Sequence, residues 1–115
     1  MASTHMTAVC KAPVDLVHLS RRTLGDRALE REVLTLFVRQ CDVYLERLHA
    51  ALDGVARAQA AHALAGSAQA VGAFAVAQEA FAVEERAQGV CDCGRLDAAV
   101  VSASDYVRGL LGEPH

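Results

Sequence analysis

Apolar residues recur at spacings of three and four along most of the chain, a pattern typical of amphipathic helices. The clearest stretch predicts a long helix over residues 27–52, in which Leu29, Val33 and Phe37 share one face. Four further segments are predicted to be helical: 16–23, 55–71, 73–87 and 95–111, and in the third of these Phe74, Ala77 and Phe81 share one face. The prolines, Pro13 and Pro114, lie outside these segments and interrupt none of them. The pattern predicts an all-α fold, an up-down antiparallel four-helix bundle preceded by a short N-terminal helix.

Short polar and glycine-containing segments mark where these helices begin and end. Asp15 and Asp26 precede the first two predicted helices, and aspartate is a preferred N-cap residue. Gly72 is expected to end the third predicted helix or to form a tight bend after it. Residues 1–6 resemble a cloning remnant, and residues 1–12 are expected to be a flexible N-terminus. The folded domain is predicted to span 13–112.

Composition restricts the class of protein. A chain of 115 residues that is 53% hydrophobic and 22% charged is long enough for one folded domain and too short for two. The net charge of −3 and the single lysine, Lys11, argue against a nucleic-acid partner. No run approaches 18 apolar residues, and no basic segment followed by an apolar one opens the chain, so neither a membrane span nor a secretory signal is predicted. The expected location is the cytoplasm.

The four cysteines, at positions 10, 41, 91 and 93, do not follow the spacing of a zinc site. Cys91 and Cys93 are separated by one residue, whereas structural zinc sites usually use C-x2-C pairs and four ligands. We therefore expect two loop cysteines, two small helical fillers and no metal site. A metal-binding helical bundle remains an alternative.

One histidine in the alanine-rich third helix is predicted to face solvent. On a helical wheel, the apolar stripe of this helix points away from His62, whose own face carries Ala58, Ala65, Gly66 and Gln69. The predicted stripe consists of Ala60, Leu64, Ala68 and Val71. A glycine inside a helix costs about 1 kcal/mol relative to alanine. Gly66 lies one turn from His62. Glycine would be favoured at this position, in spite of its cost, if another protein must approach the imidazole closely. An ordinary surface histidine on an alanine-rich helix fits the same pattern.

Glu84 is predicted to lie beside His62. Ten residues separate His62 from Gly72, and twelve separate Gly72 from Glu84, which places the two side chains at nearly the same height on neighbouring antiparallel helices, within about 3 Å along the axis. A carboxylate at that position could accept a hydrogen bond from Nδ1 of the histidine, which fixes the tautomer and leaves Nε2 as a nucleophile. A solvated carboxylate on a polar face is the alternative interpretation of Glu84.

The segment from His62 to Ser67, His-Ala-Leu-Ala-Gly-Ser, followed by Val71-Gly72-Ala73, resembles the signature of histidine-containing phosphotransfer (HPt) domains. That signature reads H-x-L-K-G-S, then an apolar residue, glycine and a small or apolar residue. Val14-Asp15-Leu16, Leu24-Gly25-Asp26 and residues 29–37 are similar to the opening of the family, so the resemblance covers about 13–112.

The resemblance implies a four-helix bundle that carries a phosphoryl group on one exposed histidine, here His62. Glu84 then stands where the family often places a Gln or Glu that bonds the histidine, Gly66 leaves room for the partner, and Ser67 contributes to the surroundings. The implied function is a phosphorelay intermediate between receiver-domain aspartates, without kinase activity of its own. The implied partners are response regulator receiver domains and a hybrid sensor histidine kinase. No cofactor is expected, because Mg²⁺ would be held by the receiver, and the protein is expected to be a monomer.

Ala65 departs from the family pattern, which has lysine at this position. Because phosphorylation adds about −1.5 to −2 charge, another cation near the phosphoryl group would be useful. Arg86 is predicted to supply it, since Arg57 points away from His62 on the wheel. The departure also keeps open a second function: an adaptor of the same fold that binds receiver domains or kinases and does not relay phosphate.

Overall fold

Five α-helices and no β-strand make up the secondary structure that the computed structural model describes, over residues 12–89 and 92–112. The all-helical prediction is confirmed, and every predicted helix end lies within two residues of the observed one. The N-terminal segment 1–11, predicted to be flexible, lies outside the described residues. The helices are α1 (Leu16–Arg22), α2 (Arg27–Ala50), α3 (Gly54–Val71), α4 (Phe74–Glu85) and α5 (Gly94–Leu111).

Aspartate side chains cap the N-termini of the first three helices. Oδ1 of Asp15 accepts hydrogen bonds from the backbone N–H groups of Val17 and His18, at 3.0 and 3.1 Å. Asp26 caps α2 and Asp53 caps α3 in the same manner. Each cap satisfies backbone donors that would otherwise have no partner in the first turn. The N-caps predicted at Asp15 and Asp26 are confirmed.

The four longer helices enclose one apolar core. Helix α3 packs against both α2 and α4, while α5 packs against α4 and α2. Large side chains from several helices fill the centre, among them Phe37, Leu64, Val76, Leu96 and Val107. The inward face of α3 is built mostly from alanine, which lets the neighbouring helices approach closely. This packing fixes the direction in which the outward face of α3 points.

The turn between α3 and α4 holds the short helix α1 in place. Gly72 caps α3 in the left-handed conformation, with φ of 88°, which an L side chain rarely adopts. Its carbonyl accepts a hydrogen bond from the backbone N–H of Asp15 at 2.9 Å. A Cβ atom at Gly72 would lie only 2.9 Å from the carbonyl oxygen of Asp15. Glycine is therefore required here both by the backbone conformation and by the close approach of α1.

Phe74 differs from the sequence prediction. The sequence predicts that Phe74 shares one face of its helix with Ala77 and Phe81, but its side chain is 46% exposed, whereas Ala77 is buried. Phe74 is the first residue of α4, at the end of the core where α1 packs. Its ring makes an edge contact with the imidazole of His18, with 5.2 Å between ring centroids. The aromatic ring therefore joins α1 to α4 at the surface.

The cysteines that the structure describes are packing residues. Cys41 is fully buried in α2, which confirms the prediction of a small helical filler. Burial, with a smaller contribution from Asp42, raises the pKa of its thiol to about 12. Cys93 precedes α5 and packs against the core, while Cys10 and Cys91 lie outside the described residues. In the described part of the chain, no helix is both long enough and apolar enough to cross a membrane.

Candidate functional site

His62 projects from the outward face of α3. Its side chain is 70% exposed, while Leu64 on the opposite face is completely buried. Ala60, Ala68 and Val71, predicted to form the buried stripe with Leu64, are all buried. The helical wheel therefore gave the correct direction for His62, because the stripe of α3 packs between α2 and α4 and leaves the imidazole in solvent.

Glu84 on α4 lies beside the imidazole. The Nδ1 atom of His62 is 3.2 Å from Oε1 and 3.1 Å from Oε2 of Glu84, so the carboxylate straddles one ring nitrogen. Glu84 is half-buried, with 32% of its side chain exposed. The packing of α3 against α4 brings these two side chains together, at the common height that the residue spacing predicts.

This contact determines where the imidazole proton lies. An ionised carboxylate can only accept hydrogen bonds, so Nδ1 of His62 must carry the proton and donate it to Glu84. In the neutral ring, Nε2 then holds a free lone pair. Since the side chain is largely exposed, this unprotonated nitrogen is available to an electrophile brought by another molecule.

A shallow concavity surrounds His62. It is lined by Ala58, Gln59, His62 and Ala63 of α3, and by Glu84 of α4. Ala58 is among the residues predicted from the sequence, whereas Gln59 and Ala63 are not. Both fall within about 100° of His62 on the wheel, so their position could have been recognised there. The small side chains of Ala58 and Ala63 leave the imidazole accessible from solvent.

Ala65 does not lie on this surface, and its predicted exposure was wrong. Its side chain has 0% exposure and belongs to the core. Helix α3 packs against α2 on one flank and α4 on the other, so a wide arc of it is buried. Ala65 is at the edge of that arc. Because alanine occurs on both buried and exposed faces, its presence does not indicate where the buried arc ends. The lysine that the family pattern places here therefore has no surface counterpart at this position.

Gly66 and Gln69 do lie on the exposed face of α3. They border a second groove, which also contains His18 and Arg22 of α1 and Phe74 of α4. A Cβ atom at Gly66 would meet nothing within 4 Å. No contact within the described part of the chain explains why glycine rather than alanine occupies this helical position.

Two other predicted residues, Ser67 and Arg86, are on or beside the same two helices. Ser67 is half-buried in α3, and Arg86 is exposed just after the end of α4. Within the described residues, neither side chain makes a hydrogen bond or an ion pair with the imidazole. Arg57 instead donates to the backbone carbonyl of Ala87, which ties α3 to the segment after α4.

Metal ligands are not grouped at this site. In the described ranges, no three His, Cys, Asp or Glu side chains lie close enough to hold a metal ion. Because Cys91 is outside those ranges, this finding does not extend to the Cys91–Cys93 pair.

Comparison with known proteins identifies the family. A family model described as Hpt domain matches residues 32–109, which is more than half of the chain and includes His62, Gly66 and Glu84. Neither the curated proteins nor the solved structures include a match to the chain. Hpt domains are helical phosphocarriers that act in histidine phosphotransfer within phosphorelays and lack kinase activity. The length of the match, together with the exposed histidine that it contains, establishes that this chain belongs to the Hpt domain family.

Proposed function

We propose that this protein relays a phosphoryl group between the aspartates of two receiver domains and carries it in between on Nε2 of His62. The observation that supports the proposal best is the contact of Nδ1 of His62 with Glu84, which leaves the other ring nitrogen, Nε2, free of the carboxylate in a side chain that is largely exposed. An Hpt domain whose candidate histidine was buried, or whose carboxylate bonded the outer nitrogen, could not act in this way.

The transfer step balances without any release of a proton. The lone pair of Nε2 attacks the phosphorus atom of the acyl phosphate, the N–P bond forms, and the P–O bond to the receiver aspartate breaks. The aspartate leaves as a carboxylate. The ring keeps its proton on Nδ1 and becomes cationic, and Glu84 stabilises that cation through the hydrogen bond already present. The reverse sequence passes the group to the second receiver.

Glu84 is a positioning residue in this mechanism. It holds the ring in one orientation and one tautomer, so the nucleophilic nitrogen is directed outward before a receiver arrives. Phosphoryl transfer depends mainly on positioning and on the stabilisation of charge. The receiver is expected to bring the Mg²⁺ and its acidic pocket, while the helical domain supplies no cofactor and does not use ATP.

The surface around His62 fits a receiver domain. Ala58 and Gly66 flank the histidine with small side chains, and Gln69 continues the same exposed face. We infer that Gly66 is small because the receiver approaches there, since a side chain would have open space within the chain itself. Ser67 and Arg86 remain predicted contributors to the surroundings of the phosphoryl group.

The finer architecture and the partners belong to the same proposal. We propose that α2–α5 form an up-down bundle with α1 lying across one end, and that the folded domain spans 13–112. The partners are response regulator receiver domains and a hybrid sensor histidine kinase, and the protein works as a cytoplasmic monomer, because the histidine face must remain open to each partner in turn.

A transfer assay tests the function. A panel of ³²P-labelled phospho-receivers is mixed with the wild-type protein, with His62→Ala and with His49→Ala, in which another exposed histidine is removed as the matched control. Label that is stable in base, labile in acid and absent only from His62→Ala is expected. Receiver binding without any transfer would contradict the relay and favour the adaptor, for which the missing lysine at position 65 is the argument. Label on His62→Ala would mean that another residue carries the group.

A further inference from the structure

The concavity around His62 shares two lining residues with a groove that contains an arginine from another helix. This groove lies between α2 and α3 and is lined by Tyr44, Arg47 and Ala50 of α2 and by four residues of α3. Two of those four, Gln59 and Ala63, also line the concavity of His62. A group attached to the imidazole and a side chain in the groove therefore lie on either side of the same two residues.

Arg47 is held in this groove by an aromatic ring. Its guanidinium carbon lies 5.7 Å from the ring centroid of Tyr44, within the range of a cation–π contact. Tyr44 is itself half-buried and packed against the core, so the ring is a fixed support. A cation–π contact uses the charge of the guanidinium and not its hydrogen-bonding capacity, so N–H donors of Arg47 remain available to an anion.

Other cations are less well placed. Arg57 is engaged by the carbonyl of Ala87, and Arg86 lies beyond the end of α4 and lines none of the grooves that contain His62 or its neighbours on α3. The groove that contains Arg22 shares no lining residue with the concavity of His62. Of these arginines, Arg47 is the one whose groove shares lining residues with that concavity.

We propose that Arg47, supported by Tyr44, is the cation that binds the phosphoryl oxygens when His62 is phosphorylated. The inference rests on the proposed function, because it concerns the phosphorylated form of the same site. Phosphorylation brings about two negative charges to a surface where Glu84 is already anionic, in a protein of net charge −3. Guanidinium donors match phosphoryl oxygens in geometry and charge, so Arg47 would stabilise the loaded carrier and the transition state of transfer.

Charge-removal variants measure this contribution through the transfer rate. Arg47→Gln is expected to slow transfer from a phospho-receiver to His62 by about three- to tenfold, and the deficit should shrink at high salt. Arg47→Lys keeps the charge and loses the planar guanidinium. Its transfer rate should lie between those of the wild type and Arg47→Gln. Arg39→Gln is the matched control, because it removes one positive charge from an exposed position on the same helix. Equal rates for Arg47→Gln and Arg39→Gln, or a deficit confined to Arg86→Gln, would overturn the proposal.

A receiver-free measurement separates this inference from the proposed function. His62 is phosphorylated with phosphoramidate, a small-molecule donor, and the Arg47 Nε–H resonance is followed by ¹⁵N NMR. A clear shift of that resonance on phosphorylation, absent from Arg39, supports the contact even if every receiver fails to transfer. If receivers transfer normally and the Arg47 resonance does not move, the relay stands and the role of Arg47 is wrong. If His62 accepts phosphate from neither donor, both proposals fail.

Discussion

At the scale of single residues, the chemistry of the site depends on which nitrogen of His62 is engaged. Glu84 occupies Nδ1, and the exposed side chain presents Nε2. The surroundings of the two nitrogens differ. Nδ1 is bonded by a half-buried carboxylate on a neighbouring helix, whereas Nε2 faces solvent. Substitutions at Glu84 therefore alter the orientation and tautomer of the ring without removing the nucleophile.

Glu84→Ala is expected to lower the rate of phosphoryl transfer about tenfold or more, because a hydrogen bond to a charged group, worth about 1.5–3 kcal/mol, is lost from the cationic ring that forms. Glu84→Gln keeps an acceptor for Nδ1–H and should retain more of the rate. The ¹⁵N shifts of the His62 ring should show a mixture of tautomers in Glu84→Ala and one dominant tautomer in the wild type. Unchanged ring shifts in Glu84→Ala would contradict the positioning role.

Cys41 should behave as an inert thiol in the folded protein. In a variant with the other three cysteines replaced by serine, a thiol reagent is expected to label Cys41 only on unfolding, because its side chain is fully buried. Since the pKa is about 12 in the folded state and 9.0 in the unfolded state, the unfolded thiol ionises first as pH rises. The free energy of unfolding should therefore fall above pH 9, by about 1 kcal/mol at pH 10.

Urea titrations at pH 8 and pH 10 check this dependence. Cys41→Ala removes the ionisable group, so its loss of stability between the two pH values should be smaller than that of the cysteine-containing protein. Equal losses would mean that the buried thiol is not the cause. Rapid labelling of Cys41 under native conditions would show that the core opens near α2.

At the scale of single helices, a glycine inside α3 and the glycine that caps its end serve different purposes. Gly72 ends the helix with a positive φ and contacts the backbone of Asp15, whereas Gly66 has ordinary helical backbone and open space around it. The first glycine is required by the fold of this chain. The second is not required by any contact that the structure describes, and the proposed docking of a receiver would account for it.

Gly72→Ala should destabilise the protein by about 2 kcal/mol or more. The left-handed conformation costs a non-glycine residue about 1–2 kcal/mol, and the added methyl group would also press on the carbonyl of Asp15. Thermal unfolding should show a melting temperature lower by about 10 °C. A variant as stable as the wild type would mean that α1 can move away from the turn at little cost.

Gly66→Ala should have the opposite effect on folding. Replacing a helical glycine that has no neighbour should stabilise the protein by about 0.5–1 kcal/mol. Gly66→Arg should also fold, but it should weaken binding to receivers, because the long side chain occupies the face on which they dock. Titration calorimetry against a receiver measures this, with Gly109→Arg as the control at another open glycine. If Gly66→Arg bound receivers as tightly as the control, the inferred docking surface would be wrong.

At the scale of the whole molecule, the sequence predicted the elements better than the surfaces between them. Helix ends followed from caps such as Asp15 and Asp26, whose chemistry is local. The pairing of His62 with Glu84 followed from counting residues across one turn. The burial of Ala65 and the exposure of Phe74 did not, because they depend on which neighbour packs on each flank of a helix. The groove of Arg47 was missed for the same reason, since it exists only where α2 meets α3.

Loading the carrier should leave the fold unchanged. Among the described residues, the polar partner of the His62 side chain is Glu84. The core beneath α3 consists of alanine and leucine side chains that do not contact Nε2. Phosphorylation should therefore shift backbone amide resonances near His62 and Glu84, and near Arg47 if it binds the group, while those of α5 stay in place. Sedimentation should give a monomer before and after loading, since the charge is added on a face that must stay open. Widespread shifts across α5, or a change of mass, would show instead that the phosphoryl group acts as a conformational switch, and the protein would then do more than carry it.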